Sequence, residues 1–333
     1  MGAQESKMSQ VERGQYLLVR PQGLDEYGKV FLAYRVGSAV EMMAKILKVE
    51  RLNEIEQGAE YAQKLQDIPK TLAVNQNKTI NSLQIEMSHI DVIPNLYQFL
   101  PELRTLTASR NNFRKFQITL GRLKQLEKLD LGSNQLDSFP HIELPKLNEL
   151  ILRSNKLLSI PHDLGKLFPA IISISLAFNR LVTLPRFENS SLIRIEADQN
   201  NIKYINHAIH APKLKYLFLS CNDIQQFALP PQSNLNSVET VDLRMNSMKF
   251  IPRSTFASMP NAQALYLTHN DLTHLPIDIG DLTPHIHDLW IGENCITSIP
   301  NSINKMKMLQ TLFAAYNNIT FCPPLIGFKS ELR

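Results

Sequence analysis

Cysteine is scarce: there are three in 333 residues, at Cys221, Cys295 and Cys322. An odd and scattered set excludes a disulfide framework and fits a reducing compartment. Long apolar runs are missing, and none approaches the roughly 20 residues that a bilayer-spanning helix needs. No apolar stretch of signal-peptide type opens the chain, so the expected location is the cytosol. Excess charge is also missing. Lys and Arg total 35 against 31 Asp and Glu, a formal net charge of +4. These basic residues form no stripe, which argues against a nucleic-acid surface. Glycine is sparse at 12 residues, which excludes a glycine-turn β-helix, and no phosphate-cradling glycine loop is found. Tryptophan occurs once, as Trp290. Against these absences stand 44% hydrophobic residues, ample for a packed core.

The single tryptophan lies in residues 286–294, I-H-D-L-W-I-G-E-N, and that segment is one copy of a pattern. From about Ile80 the chain repeats L-x-x-L-x-L-x-x-N, with Ser88, Asn111, Asn134, Asn155, Asn179, Asn200, Asn222, Asn246, Asn270, Asn294 and Asn317 at the last position. Successive copies lie about 23 residues apart, a period in the range of stacked-repeat proteins. Apolar residues follow at plus two and plus five, and proline at plus six in eight of the eleven.

Each letter has a physical reason. The alternating L-x-L is a short strand, and its leucines turn inward. They are buried only because neighbouring repeats stack on them. The asparagine amide can donate to, and accept from, backbone groups that would otherwise be buried unpaired. Ser88 departs from the pattern in the first copy, where the demand is smaller. Proline at plus six suits a convex side of extended or 3₁₀ turns rather than full helices.

With eleven consecutive copies over roughly 250 residues, the chain is identified as a member of the leucine-rich-repeat family. The expected fold is α/β: a curved horseshoe solenoid with a parallel concave sheet of about eleven repeats and a small N-terminal cap. The L-P ending of the repeats resembles intracellular Ras-pathway scaffold and Ras-suppressor proteins and leucine-rich-repeat phosphatases. That likeness implies a partner in phosphatase or small-GTPase signalling.

Function is expected at the residue between the leucines of L-x-L. In order it is Gln84, Thr107, Asp130, Ile151, Ser175, Glu196, Phe218, Asp242, Tyr266, Trp290 and Phe313. Four of the last five are aromatic. Inward positions are already filled by aliphatics, and a strand cannot turn both neighbours the same way. The aromatics must therefore face the concave side. Neighbouring exposed positions add Tyr216, Arg244, His269, Asp288, Glu293 and Tyr316. Aromatics with interspersed acids and an arginine are the composition of protein-interface hot spots. The leucine-rich-repeat regulatory subunit of protein phosphatase 1 is similar in kind, binding through concave aromatic and acidic residues.

The ends are read separately. Met1-Gly2-Ala3-Gln4-Glu5-Ser6-Lys7 fits the N-myristoylation pattern, with Gly2 as acceptor. It resembles the start of the myristoylated alanine-rich C-kinase substrate family. One acyl chain gives weak, reversible membrane association. The organisation expected is a tail at 1–14, a β/α cap at 15–70 and repeats at 71–333. Residues 15–22 and 29–35 read as strands, and Ser38 as the cap of a helix running toward Leu65. At the other end about ten residues follow the last apolar turn. A short cap, a covering partner or a further domain each accounts for that.

No cofactor, metal or catalytic residue is expected. His285, His287 and Cys295 lie at different corners of a repeat, and His207 and His210 lack partners. Cys322 falls on an inward apolar position and reads as core. Cys221 has no activating base. The expectation is a non-catalytic scaffold or adaptor. The alternative is the targeting half of a multidomain enzyme, such as a PP2C-type phosphatase.

Overall fold

The computed structural model describes residues 81–324 except 85, 87–92, 94–95, 99, 206–208 and 231; before them it describes the backbone of four short strands. These are β1 (Tyr16–Val19), β2 (Leu24–Asp25), β3 (Gly28–Arg35) and β4 (Met43–Leu47). β3 pairs antiparallel with β1, β2 and β4. Two of the four are the strands expected from alternation. β4 replaces the start of the helix expected from Ser38. Met43, Ile46 and Leu47 fit a helical period over too few residues to exclude a strand, and pairing with the edge of β3 decides between them. Gly2 and Ser88 lie outside the described residues.

The repeats contribute one short strand each. They are β5 (Ser82–Gln84), β6 (Thr105–Thr107), β7 (Lys128–Asp130), β8 (Glu149–Ile151), β9 (Ser173–Ser175) and β10 (Arg194–Glu196). After a two-residue β11 (Tyr204–Ile205) come β12 (Tyr216–Phe218) and β13 (Gln226–Phe227). β14 (Thr240–Asp242), β15 (Ala264–Tyr266), β16 (Asp288–Trp290) and β17 (Thr311–Phe313) complete the series. The repeat strands form an eleven-stranded sheet in chain order, and β11 pairs β13 beside it. By compactness the chain divides into Met1–Leu136 with Ile142–Leu147, and Asp137–His141 with Asn148–Arg333.

Parallel register aligns the inward residues. In the first unit Leu83, Leu106 and Leu129 stand side by side. In the second the row runs Leu150, Ile174, Ile195, Leu217, Val241, Leu265, Leu289 and Leu312. All but Leu312 are buried, each stabilising the stack by roughly 1.5–3 kcal/mol.

The asparagines form a second row. In the repeat of β14, Asn246 Nδ2 donates to Leu243 O at 3.0 Å in its own repeat and to Leu219 O at 3.1 Å in the one before. Its Oδ1 accepts the Ile224 N–H at 3.0 Å. The same three bonds recur at Asn222, Asn270 and Asn294. Each amide thus satisfies its own turn and ties it to the preceding one.

A third row is not visible in the letters. The residue before each asparagine is left-handed: Arg110, Ser133, Ser154, Phe178, Gln199, Cys221, Met245, His269, Glu293 and Tyr316 have φ between 53° and 58°. None is glycine and none is β-branched. An L-residue pays about 1–2 kcal/mol there, and a branched Cβ makes the position a true outlier. Gln199 is exposed, so it isolates the backbone term. We expect Gln199→Val to lower stability by about 1–2 kcal/mol in urea unfolding, and Gln199→Gly to leave it equal or higher. Equal midpoints for valine and glutamine would count against the strain.

Short turns close the far side: 3₁₀ segments at Ile118–Arg122 and Asn301–Lys305, and single-turn helices α1 (Leu164–Leu167), α2 (Arg253–Ala257) and α3 (Ile279–Leu282). Pro252 and Pro300 enter two of them at φ −60° and −65°. Gly280 in α3 is needed for close approach, because a Cβ there would sit 1.8 Å from Ser302 O.

Cys322 is exposed rather than core. At the same place in other repeats, Phe139, Ile160, Leu184, Ile205, Phe227, Ile251, Leu275 and Ile299 are buried. Burial there needs a repeat on both sides, and among the described residues none stacks beyond that of β17.

Candidate functional site

The outward residues of β10 to β17 lie side by side as Glu196, Phe218, Asp242, Tyr266, Trp290 and Phe313. Since positions two apart in a strand share a face, Arg194, Tyr216 and Asp288 stand on the same open surface. The aromatics do face outward, as expected, and remain half-buried against one another.

They form two clusters, not one continuous stripe. Tyr216 and Phe218 stack with ring centroids 6.4 Å apart and planes 6° off parallel. Tyr266 meets Trp290 edge-on at 6.0 Å, and Trp290 meets Phe313 at 5.3 Å. Asp242 separates the clusters. It is buried, at 5% exposure, because Arg244 closes over it. Arg244 Nη2 lies 2.6 Å from Asp242 Oδ2, and Arg244 Nε and backbone N–H reach Oδ1 at 3.0 and 3.1 Å. Asp242 therefore positions Arg244, and the guanidinium is what solvent meets, 5.3 Å over the Tyr266 ring.

Three residues of the site escape the sequence reading. Arg194 lies 4.7 Å over Phe218 and 5.5 Å over Tyr216, held by Glu196 at 2.6 Å. Its place in the strand before Tyr216 is the signal that could have found it. Asp198 accepts both the backbone N–H and the hydroxyl of Ser220 at 2.8 Å. Burial raises its pKa above the ordinary carboxylate value, Ser220 opposes this, and the Asp242 charge reinforces it. Gly292 is the third. A Cβ there would lie 2.2 Å from the Phe313 ring, so the bare backbone gives that ring its seat beside Trp290.

The remaining expected residues line the cluster's rim. His269 Nδ1 is 2.6 Å from Glu293 Oε2. Asp288 is half-exposed two positions before Trp290. The Tyr266 hydroxyl is pushed above its usual pKa by burial and then by the Asp288 carboxylate. Tyr316 is 79% exposed, on a left-handed backbone. Among the described residues no group of three or more His, Cys, Asp or Glu could hold a metal ion, and no helix is long and apolar enough to cross a membrane.

Residues 212–272, which carry Phe218, Asp242, Arg244, Tyr266 and His269, match the family model described as Leucine rich repeat. The chain carries leucine-rich repeats. It is 25% identical over 295 residues to "Transforming growth factor beta activator LRRC33" of Danio rerio, covering 69% of this chain and 43% of that protein. With "Adenylate cyclase" of Schizosaccharomyces pombe it shares 24% over 332 residues, 78% of this chain but 20% of that one. A solved leucine-rich-repeat protein of Leptospira interrogans superposes with a TM-score of 0.61 at 27% identity, covering 75% of this chain and 64% of that one. The chain thus spans less than half the length of these two curated relatives. Leucine-rich-repeat solenoids present an extended sheet face as a protein-binding surface, and here that face carries the aromatic clusters.

Proposed function

We propose that this leucine-rich-repeat chain is a non-catalytic scaffold or adaptor of intracellular signalling that takes a protein partner on the open sheet face of β12 to β17. The observation that carries the reading is the Tyr266–Trp290–Phe313 cluster. Three large rings stand outward on adjacent strands, flanked by acids and an arginine, where a purely structural repeat needs only small polar residues. Buried aromatic anchors within a polar rim are how protein interfaces concentrate affinity. A partner from phosphatase or small-GTPase signalling is the expectation that the L-P repeat type supplies. Affinity capture with the wild-type chain against the Tyr266→Ala/Trp290→Ala variant, with mass spectrometry of the difference, tests it. Identical captures would refute it.

The second reading, a targeting or regulatory part of a larger enzyme, is favoured by one observation: the adenylate cyclase match covers a fifth of that protein. A complete transcript encoding a catalytic domain, of PP2C or another type, would decide for it.

The proposed place is the cytosol with reversible contact at membranes through a myristoyl chain, which alone binds bilayers only marginally. Intact-mass measurement after eukaryotic expression should show a myristoyl adduct that Gly2→Ala removes. An unmodified wild type, beside an acylated control protein, would exclude it.

A further inference from the structure

We infer that the Tyr266–Trp290–Phe313 cluster is a receptor for a basic side chain, arginine or lysine, carried on an extended segment of the protein partner. This rests on the protein-binding reading of the same face.

The argument begins with how the face treats its own cations. A ring face carries a negative potential and attracts a cation within about 6 Å of its centroid. The first cluster already has its cation, Arg194, at 4.7 Å from Phe218. In the second, Arg244 covers Tyr266 alone. Among the described residues no cation lies over Trp290 or Phe313, although Trp is the ring that attracts cations best.

Charge points the same way. Three cations beside the clusters are neutralised where they stand: Arg194 by Glu196, Lys215 by Glu239 and Arg244 by Asp242. Asp288 has no cationic partner among the described residues, and it faces outward beside Trp290. Among the described residues the Glu293 carboxylate has His269 as its one ionic partner. The charge left over around the second cluster is therefore negative. An acidic segment would be repelled by both carboxylates, and a purely apolar one would strip water from them with no compensation. A basic side chain lying over Trp290 satisfies the ring face and reaches Asp288 at once. A planar guanidinium suits the site best, since it stacks on the ring while donating to the carboxylate.

The surroundings favour an extended carrier. Adjacent outward residues stand on strands about 4.8 Å apart, and the rim offers apolar contact at Met245 and Tyr316, 54% and 79% exposed. Both sit on left-handed backbone, so their side chains leave the rim from a fixed base.

The sole tryptophan makes the test local, because emission excited at wavelengths that tyrosine does not absorb reports Trp290 alone. A random dodecapeptide phage library is panned on the full chain. Selected sequences are resynthesised without tryptophan and titrated against Trp290 emission. The expected result is enrichment of arginine or lysine in the selected peptides, a change in Trp290 emission on binding, and affinity at least about tenfold weaker for Asp288→Asn/Glu293→Gln. Raised salt should weaken binding as well. Peptides that perturb Trp290 but carry no basic residue, or that bind the double variant equally well, would overturn the inference and leave the protein-binding reading standing. Failure to select any peptide, or peptides that leave Trp290 emission unchanged, would overturn both.

Discussion

Replacing Tyr266 and Trp290 together by alanine should weaken capture of the partner at least about a hundredfold, with the fold intact. Central interface aromatics typically contribute about 2 kcal/mol or more each on truncation. Two such losses are roughly three orders of magnitude if they add, and less if they overlap. The rings also hold each other, Tyr266 to Trp290 at 6.0 Å and Trp290 to Phe313 at 5.3 Å. Such pairs are worth about 0.5–1.5 kcal/mol each beyond their area. Arg244 loses its ring contact too, yet keeps Asp242. The cost in stability should therefore be about 2 kcal/mol, a fall of several degrees in the thermal midpoint. Surface plasmon resonance against the captured partner and differential scanning calorimetry measure the two quantities. Unchanged affinity would remove the cluster from the interface. A midpoint drop of tens of degrees would show that these rings are core.

The opposite balance is expected at the asparagine row. Asn270→Ala removes donations to Leu243 O at 3.0 Å and Leu267 O at 3.1 Å, and the acceptor for the Met248 N–H at 3.2 Å. Asn270 is 7% exposed, so water cannot replace these bonds without opening the turn. Stranding buried backbone groups costs about 1–3 kcal/mol each. A loss of roughly 3–5 kcal/mol in urea unfolding follows, with partner-face chemistry untouched. Asn318→Ala is the control. That residue is exposed and contributes only its backbone N–H, to Ile296 O, so its replacement should change stability by about 0.5 kcal/mol or less. Similar losses for both variants would mean that the row does not tie the repeats together.

How much is legible divides along physical lines. A repeat writes its frame in the chain at a spacing of about 23 residues, and each copy corroborates the next. Inward leucines, the asparagine turn and the outward phase of Trp290 are readable because they depend on local alternation and on what a turn must satisfy. The left-handed column is not, because no single letter is common to its ten residues and no glycine marks it. The strand Met43–Leu47 reads as helix from its letters because pairing with Gly28–Arg35 is not a local property. Cys322 reads as core because its letter matches the frame, while burial depends on a neighbour on each side.

The sequence alone determined the repeat scaffold, the rows of leucine and asparagine, and which residues leave the sheet on the open side. Only the tertiary structure decided how those outward residues meet. Register sets Arg194 over Phe218, lays Arg244 over Tyr266, packs Trp290 against Tyr266 and Phe313, and seats Phe313 on Gly292. The reason is the range of the forces. Backbone patterning acts within one repeat, where letters are adjacent in the chain. Ring packing and the contacts of Arg194 and Arg244 with the rings of the next strand act between repeats, and exist only once the strands stand side by side.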